Sequence, residues 1–160
     1  MADLAEQRLP PDGQDANPPP FNIYSISDLC STIDCNYSTV LVNCNYCSRV
    51  LSPFDCILFD YKDLKLLWKP ELHVFVGICQ PCLYSSALVQ FIHGFEGIVS
   101  PEAAQDRYGR NLLECVIRCY KCMKPLTQAE IQTHIDCNEE FAVIVGRCRG
   151  ICALCKLGAT

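Results

Sequence analysis

The sequence predicts an α+β protein of two duplicated small modules, each with a three-stranded sheet and short helices, joined by a linker helix. Three observations lead to this prediction: cysteine pairs at regular intervals, helix-start signals at matching offsets, and an apolar periodic segment between the two copies. Four Cys-x-x-Cys pairs carry the repeat: Cys44/Cys47, Cys79/Cys82, Cys119/Cys122 and Cys152/Cys155.

The cysteine pairs form two couples, because 31 residues separate Cys47 from Cys79 and 29 separate Cys122 from Cys152. One Cys-x-x-Cys turn offers two thiolates to a metal ion, and a second turn from across the module completes a tetrahedron. The sequence therefore predicts two structural zinc ions, each held by four cysteines. Four thiolates leave no open position for water or substrate, so we expect a binding protein and not an enzyme.

Disulfides are the alternative for paired cysteines, but they require an oxidising compartment. The first eight residues, MADLAEQR, contain no signal-peptide core, and no stretch reaches the roughly 18 apolar residues of a membrane span. We therefore expect an intracellular protein without a membrane segment, whose reduced thiols bind metal. Six cysteines outside the pairs are expected to be buried hydrophobes or incidental thiols: Cys30, Cys35, Cys56, Cys115, Cys137 and Cys148.

Four segments are predicted along the chain. Residues 1–22 are rich in proline and poor in apolar side chains, which is typical of a disordered tail. Residues 23–82 form the N-terminal zinc module, 83–109 the linker helix region and 110–160 the C-terminal zinc module. Each module is too small for an apolar core alone, so metal binding should supply much of its folding free energy.

A helix is predicted at the same place after the first zinc turn of each module. Ser52 and Asp55 follow the first cysteine pair at the offsets at which Thr127 and Glu130 follow the third. The second set is a capping box, and the first is a close variant with proline at the first helical position.

Apolar, β-branched runs predict the strands. Residues 72–78 and 141–145 precede the second zinc turn of each module, and residues 39–42 and 112–117 precede the first. Each module is therefore predicted to run strand, zinc turn, helix, strand, zinc turn.

Residues 83–93 predict the linker helix, which Gly94 and Gly97 should end. A short second helix is predicted from Ser100 to Gly109. The sequence leaves open whether the apolar face of the linker helix packs only on its own module or lines a binding groove. That face consists of Leu83, Ala87, Leu88, Phe91 and Ile92.

Charge is unevenly distributed along this chain of formal net charge −5. Residues 1–60 carry two basic and eight acidic side chains, whereas residues 107–160 carry eight basic and five acidic. Arg118, Arg147 and Arg149 lie one to five residues before a zinc ligand, and arginine there is suited to capturing carboxylates or phosphates. We predict an acidic amphipathic peptide as ligand, with DNA phosphate as the competitor and solvated surface charge as the alternative.

Two longer motifs accompany the cysteine pairs: FDYKDL at 59–64 and RCRGICALCK at 147–156. Together with the module spacing and the apolar helix, they make residues 23–158 resemble the sixth early protein of papillomaviruses. The chain departs from that family's common pattern in two places. The first gap between cysteine pairs is two residues longer, and the N-terminal tail is longer than most.

The resemblance implies a non-enzymatic viral adaptor that closes a pocket between its two zinc modules around an acidic LxxLL helix of a host protein. The arginines are expected to meet the acids of that motif, while the apolar positions are also compatible with ordinary core. On alignment by the zinc turns, the residues at pocket positions are Tyr46, Leu64, Leu67, Leu83, Ala87, Arg118 and Arg147.

Two kinds of host partner are implied by the resemblance. Some family members redirect a HECT-type ubiquitin ligase, and others bind Mastermind-like coactivators and repress Notch-dependent transcription, with effects on differentiation, apoptosis and innate immunity. The C-terminal LGAT lacks the residues that a PDZ domain requires, so we expect no PDZ binding and favour the Mastermind-like partner. The implied location is the host nucleus and cytoplasm. The competing function is that of a zinc-dependent DNA-binding transcription regulator, which a steep salt dependence would reveal.

Overall fold

The computed structural model describes residues 19–158, and the chain divides into two units after Leu83. Each unit has its own sheet and helices, which confirms the predicted α+β class. Most of the predicted tail, residues 1–18, lies outside the described residues, and Pro20–Asn22 form a short 3₁₀ turn. Within residues 19–158, no helix has both the length and the apolar character needed to cross a bilayer.

The first unit holds a three-stranded sheet in the order β1-β3-β2, with β3 parallel to β1 and antiparallel to β2. Two helices that pack against each other belong to this unit, and a third begins at its end. The elements are α1 (Ile26–Ile33), β1 (Asn43–Cys44), α2 (Pro53–Tyr61), β2 (Leu67–Lys69), β3 (Val74–Gly77) and the start of α3 (Gln80–Gly94).

Side-chain caps fix where the helices of the first unit begin. Ser25 and Asp28 form a capping box at the start of α1, and Ser52 and Asp55 form the predicted one at the start of α2. The Asp60 carboxylate on α2 then accepts two backbone N–H bonds from the first turn of α1, each at 2.9 Å. This carboxylate therefore fixes the two helices to each other.

The second unit holds a four-stranded sheet in the order β4-β6-β7-β5. Strand β6 is antiparallel to both neighbours, and β7 is parallel to β5. The elements after α3 are β4 (Phe95–Val99), α4 (Pro101–Tyr108), a 3₁₀ turn (Leu112–Glu114), β5 (Arg118–Cys119), α5 (Gln128–Asp136), β6 (Phe141–Ile144), β7 (Arg147–Gly150) and α6 (Ala153–Lys156).

An apolar core lies on one side of the second sheet. It contains side chains from β6 and β7, the helices α4 and α5, and three of the predicted zinc ligands. Its most deeply buried members include Phe141, Ile117, Leu112 and Ile131. The predicted capping box of Thr127 and Glu130 is present at the start of α5.

The second sheet has one strand more than the three predicted. Strand β4 occupies the segment in which Gly94 and Gly97 were expected only to end the helix, and it pairs with β6 from Phe95 to Val99. A bulge lies between Phe95 and Gly97, and Gly97 adopts a φ of 143° that suits glycine. Two glycines within four residues conceal a strand from periodicity because both normally mark turns.

The predicted strands at 39–42 and 112–117 were wrong. The strands on that side are only two residues long, and Leu112–Glu114 form a 3₁₀ turn. The carbonyls of Val42 and Ile117 instead accept one backbone N–H each, from the residues that lead into the following helix. The apolar side chains of these segments are buried, but the backbone that carries them is irregular. A buried apolar segment was therefore mistaken for a strand.

The predicted equivalence of residues 72–78 with 141–145 was also wrong. Gly77 of β3 pairs with Cys44 and Gly150 of β7 pairs with Cys119, so β3 corresponds to β7. Each of these strands is preceded by an antiparallel partner, which makes β2 the counterpart of β6. Both modules thus carry a hairpin before the second zinc turn, and the prediction had only one strand there.

Candidate metal centres and arginine face

The eight predicted cysteines form two clusters, one in each unit. In each cluster the four sulfur atoms lie within 4.8 Å of one another. The first cluster is Cys44, Cys47, Cys79 and Cys82, and the second is Cys119, Cys122, Cys152 and Cys155. The remaining cysteines divide as follows: Cys30, Cys56, Cys115 and Cys148 are buried, Cys35 is half-buried and Cys137 is exposed.

The same backbone turn presents the first cysteine pair in both units. Ser48 and Met123, which follow those pairs, have φ values of 64° and 65°, so the chain reverses through the left-handed region. The first cysteine of each pair then donates its backbone N–H across the turn, Cys44 to Arg49 at 2.7 Å and Cys119 to Lys124 at 2.8 Å. Both sulfur atoms of the pair are thereby held on one side of the turn.

Sulfur spacing in both clusters fits zinc. The Cys47 and Cys79 sulfurs are 3.7 Å apart, and so are those of Cys122 and Cys152. Four sulfurs at about 2.3 Å around a tetrahedral zinc ion would be about 3.8 Å apart. The two clusters therefore fit two zinc ions, as predicted, and when bound each ion cross-links the two cysteine pairs of its module.

Thiol chemistry in the clusters also favours a cation. A hydrogen bond with the Arg49 side chain lowers the pKa of Cys47 to about 6. A hydrogen bond with Cys122 lowers the pKa of Cys119 to about 4. Burial is the main cause that raises the pKa of Cys82 and Cys155, and hydrogen bonds to neighbouring cysteines and repulsion between thiolates add to it. A dication at the centre would remove this repulsion.

A carboxylate supports the second cysteine pair in each unit. Asp55 accepts the backbone N–H of Gln80 at 3.0 Å, and Glu130 accepts that of Ala153 at 2.6 Å. Both donors directly follow the third zinc ligand of their module. Burial raises the pKa of Glu130, but hydrogen bonds from the Lys124 side chain and two backbone amides outweigh it and lower the pKa to about 2.

These two carboxylates were predicted only as helix caps. The structure shows that each also fixes the backbone beside a zinc ligand. Their equal offset of eight residues from the first cysteine pair did not reveal this second role, because the supported pair lies at different distances, 24 residues from Asp55 to Cys79 and 22 from Glu130 to Cys152.

The predicted peptide-binding residues of the first unit differ in their accessibility. Leu64 and Leu83 are buried, and Tyr46 is half-buried in the first zinc turn. Leu67 on β2 is 40% exposed and presents apolar surface. Of these four residues, Leu67 is therefore the one whose side chain offers the most to a ligand.

The buried side of the linker helix is rotated relative to the apolar face that was predicted. Leu83 and Ala87 are buried as expected, but Leu88 and Ile92 are exposed. The buried positions are instead Leu83, Ser86, Ala87 and Gln90, which follow helical spacing. Two polar residues take part in burial there, and apolar periodicity could not reveal them.

Both predicted arginines lie on one face of the second sheet. Arg118 on β5 is paired with Arg149 on β7, and Arg147 lies two residues before Arg149 on the same strand. Side chains two residues apart on a strand share a face, as do directly paired neighbours. These three arginines are referred to below as the arginine face.

Arg149 lies on the same face as the two arginines that were predicted as peptide-binding residues, although the sequence prediction left it out of that set. Burial lowers its pKa to about 10, and the charges of Arg118 and Arg147 add to the effect. The alternation Arg-x-Arg in a strand was the signal that could have found it. It places both side chains on the same side.

Known proteins resemble this chain over most of its length. The family described as E6: Early Protein (E6) matches residues 44–155, from the first zinc ligand to the last. Protein E6 of Human papillomavirus 25 is 31% identical over 153 residues, 95% of this chain and 93% of that protein. Protein E6 of Human papillomavirus type 1 is 31% identical over 137 residues, 86% and 96% of the two chains. For Protein E6 of Human papillomavirus type 49 the identity is 36% over 118 residues, 74% and 84% of the two chains.

Proposed function

Because this chain belongs to the E6 early-protein family of papillomaviruses, we propose that it is an adaptor that captures acidic LxxLL helices of host proteins. The family is non-enzymatic, in line with the prediction from the closed metal sites. The two zinc clusters then have a structural role, and recognition falls to the surfaces that they support.

The arginine face carries the proposal, because apolar side chains lie beside the arginines. Arg149 pairs with Ala142, which pairs in turn with Ile98 on β4. Arg147 pairs with a residue of β6 that in turn pairs with Phe95 on β4. Ile98 is 59% exposed and Phe95 is 46% exposed. An acidic amphipathic helix needs apolar surface for its leucines and cations for its acids, and this sheet face offers both.

The proposed host partner is a Mastermind-like coactivator, with repression of Notch-dependent transcription as the consequence. A HECT-type ubiquitin ligase is the second candidate for the same motif. Effects on differentiation, apoptosis and innate immunity follow from either partner, and the proposed location is the host nucleus and cytoplasm. We propose no PDZ domain, membrane or nucleic acid as partner.

Two substitutions should abolish binding of acidic LxxLL peptides while zinc content and the far-UV spectrum stay unchanged. Leu67→Asp puts a charge into an exposed apolar position. Arg147→Ala removes a charge-assisted hydrogen bond worth about 1.5–3 kcal/mol. Fluorescence anisotropy with a labelled peptide measures both effects on the zinc-loaded chain.

Matched control substitutions test whether the loss of peptide binding is specific to Leu67 and Arg147. Leu72→Asp alters another exposed leucine of the first unit, and Arg110→Ala removes an exposed arginine of the second, whereas Arg147 is half-buried. Both controls should bind like the parent. If Leu67→Asp or Arg147→Ala also binds like the parent, that residue does not contact the peptide and its assignment is wrong.

A further inference from the structure

Cys30 and Cys35 are two thiols that the first unit places in contact, and neither belongs to a zinc cluster. Cys30 lies on α1 and is buried, whereas Cys35 follows the helix and is half-buried. The Cys30 thiol donates a hydrogen bond to the Cys35 sulfur. A buried thiol beside one that solvent reaches is typical of a pair that forms a disulfide on oxidation.

The end of α1 brings these two residues together. Asp34 adopts a φ of 56°, so the chain reverses through the left-handed region, and the Cys35 N–H donates to the Cys30 carbonyl at 3.0 Å. This is the closing bond of a Schellman motif, in which the side chains at these two positions commonly touch. A disulfide requires that the two backbones lie close together, and this bond holds them so.

A carboxylate on α2 holds both segments that carry the pair. Asp60 accepts the first backbone N–H groups of α1 at 2.9 Å and also the Tyr37 hydroxyl at 2.7 Å. Tyr37 lies two residues after Cys35, so the chain on either side of the pair is fixed to the same helix. The contact between the two thiols is therefore part of the folded unit and does not depend on sequence proximity alone.

The two thiols differ in reactivity. Burial, followed by the hydrogen bond with Cys35, raises the pKa of Cys30 to about 12, so this thiol stays protonated near neutral pH. Cys35 is the more exposed of the two and is the one that an oxidant reaches first. An isolated thiol can be oxidised onward to sulfinic acid, whereas a neighbouring thiol diverts the first oxidation product to a disulfide.

We propose that Cys30 and Cys35 form a reversible redox site whose substrate is a peroxide. With hydrogen peroxide, the Cys35 sulfur attacks one oxygen and the O–O bond breaks. This step leaves a sulfenic acid on Cys35, and the second oxygen departs as water with the Cys35 thiol proton. The Cys30 sulfur then attacks the Cys35 sulfur, the S–O bond breaks, and the hydroxyl group leaves as water with the Cys30 proton.

The overall reaction oxidises two thiols to one disulfide and reduces one hydrogen peroxide to two water molecules. A thiol reductant such as glutathione reverses it by thiol–disulfide exchange. The bond links the end of α1 to the segment that leads into the first zinc turn, and it uses none of the eight zinc ligands. The site goes beyond peptide capture, because neither cysteine was assigned to the peptide-binding residues.

Peptide mapping of the zinc-loaded full chain tests this site. A protease that cuts before aspartate cleaves between Ile33 and Asp34, so Cys30 and Cys35 fall on separate peptides, residues 28–33 and 34–54. The chain is treated with hydrogen peroxide, its free thiols are blocked, and it is digested without reductant. The two peptides should then be joined, dithiothreitol should separate them, and native mass spectrometry before digestion should still show two zinc ions.

Cys35→Ser assigns the bond, because residues 34–54 also contain two zinc ligands. The link should be lost completely in Cys35→Ser and retained in Cys137→Ser, which removes an exposed thiol outside both clusters. A link that persists in Cys35→Ser, or that joins residues 28–33 to the peptide of the buried Cys56, contradicts the pairing. Absence of the link in the parent, or its formation only after zinc is lost, overturns the proposal.

Urea unfolding tests whether the fold already holds the two thiols in place. A disulfide between thiols that touch adds little strain and restricts the unfolded chain, so the oxidised first unit should unfold at a higher urea concentration than the reduced one. Cys35→Ser treated with peroxide in the same way should show no such increase. A lower midpoint in the oxidised parent would show that the fold must distort to form the bond, which contradicts a preformed site.

Discussion

Replacing Cys119 by serine should remove one zinc ion and unfold the second unit, while the first unit keeps its zinc and its fold. Cys119 is a ligand of the second cluster and a fully buried member of the core around it. Zinc contributes on the order of 10–16 kcal/mol to the folding of finger peptides, as much as the whole stability of a typical domain. The loss of one ligand from four should therefore exceed what a unit of this size can tolerate.

Native mass spectrometry counts the zinc ions, and amide exchange reports which residues remain protected. Cys44→Ser should give the reciprocal result, with loss of protection in the first unit. Cys137→Ser is the matched control, because Cys137 is exposed and belongs to neither cluster. Equal loss of protection in both units after either ligand substitution would show one cooperative fold instead of two.

Gly150→Ala should destabilise the second unit by about 1–3 kcal/mol through overpacking. An added Cβ would lie 2.6 Å from the Leu126 side chain and 3.1 Å from the His134 ring. Leu126 is buried, and the His134 ring is stacked on Phe141 at 4.6 Å, so neither can move away freely. Urea unfolding of the zinc-loaded chain measures the change.

The duplicated fold supplies its own control for that substitution. Gly77 occupies the equivalent place in the first unit, where an added Cβ would lie 3.2 Å from Phe59 and 3.3 Å from Leu51. These contacts are tight but need only a small displacement, so Gly77→Ala should cost clearly less. A larger loss at Gly77 than at Gly150 would contradict the packing described for the two units.

Short-range chemistry explains what the sequence could predict. The zinc turns and the three capping residues Ser52, Thr127 and Ser100 depend on neighbours within a few positions, so their spacing alone identifies them. The spacing between the cysteine pairs also predicts which distant segments lie close together, because four thiolates must meet at one ion. These constraints were enough to predict the α+β class and the two-zinc arrangement.

Strand bounds and burial depend on contacts that the sequence does not display. Strands β1 and β5 are two residues long, too short for any alternation, and β4 contains a glycine bulge. Gln90 is buried on α3 although it is polar, and Ile92 is exposed although it is apolar. Arg149 was recognised as basic, but its burial beside two other arginines appears only once β7 is paired with β5.

Peptide titration at two salt concentrations tests the central claim most directly. The zinc-loaded chain is titrated with an acidic LxxLL peptide from a Mastermind-like coactivator, with one from a HECT-type ubiquitin ligase and with duplex DNA. We expect both peptides to bind, the first more tightly, with only a modest loss at high salt because their apolar contacts persist. Reversed preference would change the partner alone. Binding of neither peptide, together with DNA binding that falls steeply with salt, would contradict the adaptor function and favour a DNA-binding regulator.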